Sequence, residues 1–162
     1  MASKKSPVSA PEPPPVKESA PVQESERVEE SAKDTFPPAV PEIPVSNIAN
    51  ALTYYQDRLG FTVDWGDDEG GIAQVTRGES RIFLTNPPFR SMHGNAGTTL
   101  IWFNVNSKQE VRELHEEWTR RGAKILSAPV EKPWLLFEFT AGDLDGNLFR
   151  VFYDFRHDVE PD

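Results

Sequence analysis

The sequence predicts an α+β domain made of two similar βαβββ modules, preceded by a disordered tail. Eight of the 15 prolines lie in residues 1–40, whereas all four tryptophans and nine of the ten phenylalanines lie beyond them. A segment with so few apolar side chains cannot offset its ordering entropy, so we expect residues 1–39 to be disordered. The same succession of strand and helix patterns then occurs twice over residues 40–156, about 60 residues apart. Residues 157–162 are predicted to be a short tail.

The first module begins with a short strand over residues 40–45, whose two prolines suit an edge or a strand end. A helix capped by Asn47 follows, because Ile48, Leu52, Tyr55 and Leu59 recur on one helical face before Gly60. Alternating apolar residues predict strands over 61–65, 72–76 and 81–85. The turn between the first two of these carries Asp67, Asp68 and Glu69, which we expect to be solvated.

The second module repeats this order after a long connection over residues 86–96. A strand is predicted over 99–105, and Ser107 with Glu110 forms a capping box that opens a helix. Val111, Leu114 and Trp118 lie on the apolar face of this helix, and Gly122 ends it. Strands are predicted over 124–127, 133–140 and 148–153. Val105 lies 60 residues after Val45, and Gly122 lies 62 after Gly60, as expected for a duplication.

Composition and charge exclude several classes of function. Residues 1–40 hold five basic and seven acidic residues, so the rest of the chain carries −7 of the total net charge of −9. This acidity argues against nucleic-acid binding. The absence of cysteine excludes disulfides and thiolate catalysis, and is compatible with the cytoplasm. No signal peptide and no membrane-spanning run is predicted.

Two groups of residues resemble one known family. The first is Val45-Ser46-Asn47, Ala51, Tyr54-Tyr55 and Arg58-Leu59-Gly60-Phe61, and the second is Pro133-Trp134, Glu138-Phe139 and Asp143 to Phe149. Together they resemble the vicinal oxygen chelate superfamily, which includes glyoxalase I, extradiol dioxygenases and bleomycin-resistance proteins. The bleomycin-resistance branch is the most similar, although Leu144 stands where the family usually has proline. The resemblance implies sheets that curl around a cavity, with the helices outside.

The metalloenzymes of this family hold a divalent metal with four side chains, usually His, Glu or Gln. The resemblance places these positions at Val40, Phe83, Leu100 and Arg150. Val, Phe and Leu have no donor atom, and Arg adds a repelling charge. We therefore expect no metal and no other cofactor.

Side chains alternate between the two faces of a strand, so the residues at even spacing from these four positions are predicted to face the cavity. The predicted ligand-binding residues are Phe83, Trp102, Asn104, Trp134, Glu138 and Arg150. Glu138 and Arg150 lie at equal distances from Leu144, so they are predicted to face each other across the last two strands and to form an ion pair. Alternatively, Arg150 presents its guanidinium to a ligand carboxylate.

The leading hypothesis is a metal-independent protein that sequesters an aromatic or cationic small molecule, as in antibiotic resistance. By the resemblance, it is expected to be a homodimer, with neither a nucleic-acid nor a membrane partner. One alternative is a metal-dependent lyase or dioxygenase of the same superfamily, and another is a non-catalytic scaffold or regulatory module.

Overall fold

A computed structural model describes residues 37–94 and 97–159 of the chain. The tail predicted over residues 1–39 therefore lies outside the described residues, apart from its last three positions. Its disorder stays a prediction. At the other end, Arg156–Asp158 forms a single turn of 3-10 helix within the segment where a C-terminal tail is expected.

The first module contains the predicted βαβββ order. Its elements are β1 (Glu42–Pro44), α1 (Ile48–Asp57), β2 (Thr62–Gly66), β3 (Ile72–Arg77) and β4 (Ser80–Thr85). They form a mixed sheet of order β1-β4-β3-β2, the first sheet, in which β1 is parallel to β4. The short β1 lies at an edge, where its prolines remove no hydrogen bond from a neighbouring strand.

The second module has the same topology. Its elements are β5 (Leu100–Asn104), α3 (Lys108–Arg120), β6 (Lys124–Glu131), β7 (Leu136–Gly142) and β8 (Leu148–Asp154). They form the second sheet, of order β5-β8-β7-β6, with β5 parallel to β8. The predicted α+β fold of two βαβββ modules is thus confirmed.

The helices begin where the sequence indicates. The Asn47 side chain accepts a hydrogen bond from the amide of Asn50 at 2.8 Å, which caps α1. The carboxylate of Asp68 accepts two further amides of this helix, from Ile48 at 2.6 Å and Ala49 at 3.0 Å. The hydrogen bonds from Ala49 and Ile48 lower the pKa of Asp68. The turn that we expected only to be solvated therefore helps to hold the start of α1.

The connection between the modules contains a helix that the sequence reading missed, α2 (Pro87–His93). The Asn86 side chain accepts from the amide of Phe89 at 3.2 Å, and proline occupies the first helical position. Both features are helix-start signals, but the two prolines and the neighbouring glycines had favoured a loop. Arg90 of α2 donates to the carbonyl oxygens of Val45 and Thr85, which ties the helix to the first sheet.

One hydrophobic core joins the two modules. Each sheet buries the face that carries its helix. Aromatic contacts link the modules: the ring centroids of Tyr55 and Phe149 lie 5.9 Å apart, and those of Phe61 and Phe103 lie 6.5 Å apart. Among the described elements, no helix covers the other face of either sheet. Within the described ranges, none of the helices is long and apolar enough to cross a bilayer.

Candidate functional site on the second sheet

The open face of the second sheet, defined here as the face opposite α3, carries most of the predicted site residues. Trp102 pairs with Arg150, and Asn104 pairs with Phe152, across β5 and β8. Glu138 of β7 lies opposite Phe152 on the other side of β8. Because side chains alternate along a strand, these five side chains share one face. Phe137, Phe139, Phe149 and Val151 alternate with them and fill the core.

Arg150 forms the cationic part of this face. Its guanidinium carbon lies 4.8 Å from the ring centroid of Trp102, within range of a cation–π interaction. Trp102 in turn meets Phe152 edge to face, with 5.5 Å between centroids. The Nε atom of Arg150 is buried and has no hydrogen-bond partner among the described residues. The cation–π contact therefore holds the guanidinium near the Trp102 ring but leaves donor capacity unused.

Glu138 forms the anionic part of the face. Its side chain is buried, with a residue exposure of only 4%. The carboxylate accepts one hydrogen bond, a long one of 3.4 Å from the indole nitrogen of Trp134. Trp134 itself is 53% exposed and precedes Leu135, which has a positive φ of 65°. This left-handed conformation, costly for a leucine, turns the chain so that Trp134 lies against Glu138.

The predicted ion pair between Glu138 and Arg150 is wrong. Glu138 lies opposite Phe152, and Arg150 lies opposite Thr140, so the two charges are diagonal neighbours. Their pair does not occur among the ion pairs of the described residues. The reason is the turn between β7 and β8, which is centred on Asp145 and not on Leu144, as the pairing of Gly142 with Leu148 shows. The Asp143 amide donates to the Asn147 carbonyl at 3.0 Å, which moves the centre of the turn to Asp145.

The open face of the first sheet differs in that its carboxylates have good donors. Asp64 accepts from Gln74 at 3.0 Å and from Thr76 at 3.1 Å. Glu42 accepts from the hydroxyl of Thr85 at 2.9 Å. The structure places the sixth predicted residue, Phe83, on this face, where its ring lies 5.8 Å from that of Trp65. Phe83 thus belongs to a different sheet from Trp102, Asn104, Glu138 and Arg150, and Trp134 lies in the turn before β7.

Sequence reasoning missed two apolar residues of the second sheet's open face, Leu126 and Val130. Val130 lies opposite Glu138 and is 45% exposed. Leu126 is 50% exposed, and its Cδ1 atom lies close to Gly142, next to Leu148. The prediction ended this strand at Ser127 because Pro129 interrupts the pattern. An edge strand with register irregularities, as β6 is, accommodates such a proline.

A cleft of about 440 Å³ opens beside the free edge of β5. It lies between the turn at Gly78 and α3, and both Trp102 and Asn104 line it. Glu138, Arg150 and Trp134 do not line this cleft. We therefore place the candidate site on the open face, where Glu138 and Arg150 lie. The cleft extends this site beyond Trp102.

The residues at the four metal positions of the superfamily do not fit a metal. Val40 precedes β1, Phe83 lies opposite Glu42, and Leu100 lies opposite Leu148. These three side chains offer no donor atom, and the fourth, Arg150, is a cation. Over residues 37–94 and 97–159, no three His, Cys, Asp or Glu side chains come close enough together to hold a metal ion.

The duplicated βαβββ topology and the two open sheet faces define a protein of the vicinal oxygen chelate type. A family comparison agrees: residues 38–151 match the model of the Glyoxalase/Bleomycin resistance protein/Dioxygenase superfamily. The chain belongs to this superfamily. The search of curated proteins finds no significant match.

Solved structures of the same superfamily share the fold at low sequence identity. A glyoxalase/bleomycin resistance protein/dioxygenase from Nocardioides is 17% identical, with a TM-score of 0.61 over 80% of this chain and 91% of that chain. Lactoylglutathione lyase from Agrobacterium tumefaciens is 19% identical, with a TM-score of 0.61 over 72% and 95%. TioX from Micromonospora is 19% identical, with a TM-score of 0.60 over 73% and 99%. These likenesses concern the fold alone.

Proposed function

We propose that this protein binds an aromatic or cationic small molecule on the open face of its second sheet, without a metal. The observation that carries the proposal is the unusual composition of this face. It exposes two indole rings, at Trp102 and Trp134, beside a buried carboxylate that forms no ion pair with another described residue. Apolar walls with a few oriented polar groups are typical of small-molecule sites.

The alternative of a metal-dependent lyase or dioxygenase has less support. It requires donor side chains at positions that carry valine, phenylalanine, leucine and arginine. The fold shared with lactoylglutathione lyase does not compensate for these side chains, because fold alone does not determine function. The alternative of an inert scaffold leaves the exposed indoles and the buried, poorly bonded Glu138 without a role.

The biological setting follows from the resemblance to the bleomycin-resistance branch. Sequestration of a cytotoxic compound, and thus antibiotic resistance, is the role to test first. The negative charge of the domain suits a cationic compound. We further propose a homodimer, in which a second copy closes the open face, and a cytoplasmic location, on the cysteine-free composition.

Tryptophan fluorescence tests the binding site directly. Benzyltrimethylammonium, an aromatic cation, is titrated into the full chain and into three variants: Trp102→Phe, Trp134→Phe and Trp65→Phe. Trp65 is the matched control, because it is 45% exposed but lies on the first sheet. We expect saturable quenching that weakens in the first two variants and persists in Trp65→Phe. Quenching that is lost only in Trp65→Phe, or no saturable quenching at all, contradicts the proposed site.

A further inference from the structure

Glu138 and Arg150 are two opposite charges that share one face without neutralising each other. They lie on neighbouring strands, β7 and β8, as diagonal neighbours. Diagonal residues are about 7–8 Å apart at their backbones, close enough for one small molecule to touch both side chains. Burying a charge without a partner is costly, so such an arrangement requires compensation from elsewhere.

Arg150 offers a guanidinium suited to a carboxylate. The cation–π contact with Trp102, with 4.8 Å from the guanidinium carbon to the ring centroid, holds the guanidinium in place. Its Nε is buried and unpartnered within the described residues. The two terminal nitrogens of Arg150 are not among the buried unpartnered atoms, and a guanidinium can donate two parallel hydrogen bonds to one carboxylate.

Glu138 offers the complementary group, a buried carboxylate in need of a cation. Its one hydrogen bond comes from Trp134 at 3.4 Å, which is near the outer limit for such a bond. The ammonium group of Lys132 lies 5.7 Å from the centroid of Trp134, and the pair Lys132–Glu138 is absent from the ion pairs of residues 37–94 and 97–159. An ammonium group brought by a small molecule would bind the carboxylate and lie against the indole ring.

We propose that the open face of the second sheet selects aromatic zwitterions, whose carboxylate binds Arg150 and whose ammonium group binds Glu138. This inference rests on the proposed function and specifies its ligand class. The first sheet provides the contrast, because its carboxylates at Glu42 and Asp64 already accept hydrogen bonds of 2.9–3.1 Å from their own neighbours. The selectivity therefore belongs to one module of the duplicated domain.

Four small probes with the same phenyl ring test the proposal. They are phenylalanine, with both charges, phenethylamine, with the ammonium only, 3-phenylpropionate, with the carboxylate only, and 3-phenylpropan-1-ol, with neither. Affinities are measured by NMR from the indole N–H resonances of Trp102 and Trp134 in the full chain. We expect phenylalanine to bind about tenfold more tightly than either singly charged probe, since each charge-assisted contact contributes about that factor.

Two variants assign the charges to their residues. Arg150→Met should reduce the affinity for phenylalanine to that for phenethylamine and leave phenethylamine binding unchanged. Glu138→Gln should reduce the affinity for phenylalanine to the affinity for 3-phenylpropionate. Arg81→Met and Glu42→Gln are matched controls on the first sheet and should leave the affinities for all of these probes unchanged. The series with the wild-type chain needs no variant, so a variant that fails to fold leaves the test intact.

The outcomes separate this inference from the proposed function. If all four probes bind the two indoles with similar affinity, or if one singly charged probe binds more tightly than phenylalanine, the zwitterion proposal is overturned and the small-molecule site stands. If none of the probes moves these resonances in the folded protein, both proposals fail together.

Discussion

Asn147 shows how one buried polar side chain joins the two modules. It is fully buried, and its amide nitrogen donates to the Pro44 carbonyl at 2.9 Å and to Asp143 at 2.7 Å. Its side-chain oxygen accepts from the Thr99 amide at 2.9 Å. The hydroxyl of Tyr55 also donates to Asp143, at 3.0 Å. The motif that contributes to the family resemblance therefore connects the end of β1, α1 and the start of β5 to the last hairpin.

Replacing Asn147 by alanine should be strongly destabilising. The change leaves the Pro44 carbonyl and the Thr99 amide without the partner they have here and removes one of the donors to Asp143, and each unsatisfied buried group costs about 1–3 kcal/mol. We expect a loss of at least about 3 kcal/mol in the free energy of unfolding, measured by denaturant titration. Tyr55→Phe is the control: Asp143 keeps its bonds from Asn147, so this change should cost only about 1 kcal/mol. Equal losses in the two variants would contradict the role given to Asn147.

Tyr55 is held as a hydrogen-bond donor by its surroundings. Burial, followed by the negative charge of Asp143, raises the pKa of Tyr55 well above its ordinary value. The phenol therefore keeps its proton across the neutral range and continues to donate to Asp143. This explains why a buried carboxylate is tolerated here without a basic side chain.

The residue scale is also where sequence reasoning reached its limit. It assigned Trp102, Asn104, Glu138 and Arg150 to one face correctly, because strand parity depends only on counting by two. It failed on whether Glu138 meets Arg150, because register depends on the hydrogen bonds that Asp143 makes inside the turn. A shift of the centre from Leu144 to Asp145 is enough to turn an opposed pair into a diagonal one.

At the scale of elements, α3 is fastened to the first module by a cluster of charges. Glu117 of α3 binds Arg77 of β3 at 2.7 Å and Arg121 at 2.9 Å. Arg77 also donates to the Leu59 carbonyl, beyond the end of α1, which in turn accepts from the Trp118 indole at 3.1 Å. Partial burial acts to raise the pKa of Glu117, but hydrogen bonding and charge interaction with Arg77 outweigh it, and the pKa is lowered.

The pH dependence of stability tests this fastening. A lowered pKa means that Glu117 contributes stability above its unfolded pKa of about 4.3, and that this stability is lost as the pH falls through the lower folded value. Glu117→Gln should therefore reduce the melting temperature at pH 7. The loss in the free energy of unfolding should be about 1 kcal/mol or less, because the ion pair is partly solvated. The difference from wild type should shrink toward pH 3.

Glu113→Gln provides the control for that experiment. Glu113 lies one helical turn before Glu117 and accepts a hydrogen bond only from Gln109 in the described part of the chain, at 3.0 Å. Its replacement should leave the profile of melting temperature against pH unchanged. If the Glu117→Gln difference is the same at pH 3 as at pH 7, the ion pairs do not supply it.

Which elements the sequence could predict depended on how local their causes are. The α1 and α3 helices have apolar periodicity, caps and terminal glycines, all of which act within a few residues. The α2 helix has no buried residue, so no periodic apolar pattern marked it, and only its cap did. The end of β6 was missed because Pro129 is acceptable only at a sheet edge, and the position of a strand in its sheet is a tertiary property.

At the scale of the whole molecule, the first prediction concerns metals. By the family resemblance, Val40, Phe83, Leu100 and Arg150 stand where the superfamily's enzymes coordinate their ion, and a stable site needs at least three good donors. We expect elemental analysis of the purified full chain to find no stoichiometric Zn, Ni, Fe or Mn. We also expect chelators to leave its melting temperature unchanged. One ion per chain that leaves on chelation, together with a fall in stability, would favour the enzyme alternative.

The last prediction concerns assembly and follows from the apolar surface that the fold leaves uncovered. Besides the indoles of the proposed ligand site, Leu100, Leu126 and Val130 are each more than 40% exposed on the open face of the second sheet. Exposed apolar surface of this kind, on a sheet whose edge strands β5 and β6 each pair with only one strand among the described residues, usually marks an interface. Closed symmetric pairing is the commonest way to bury it. We therefore expect a sedimentation-equilibrium mass of twice the 18.2 kDa of the chain.

Two leucines distinguish an interface on this face from association elsewhere. Leu126 lies on the open face, whereas Leu144 lies at the tip of the last hairpin and is 60% exposed. Leu126→Glu places a charge on the proposed interface and should shift the equilibrium to the monomer. Leu144→Glu should leave the dimer intact, because the hairpin tip is outside that surface. A wild-type mass near 18.2 kDa at micromolar concentration, or a dimer that only Leu144→Glu dissociates, would show that the open face does not pair.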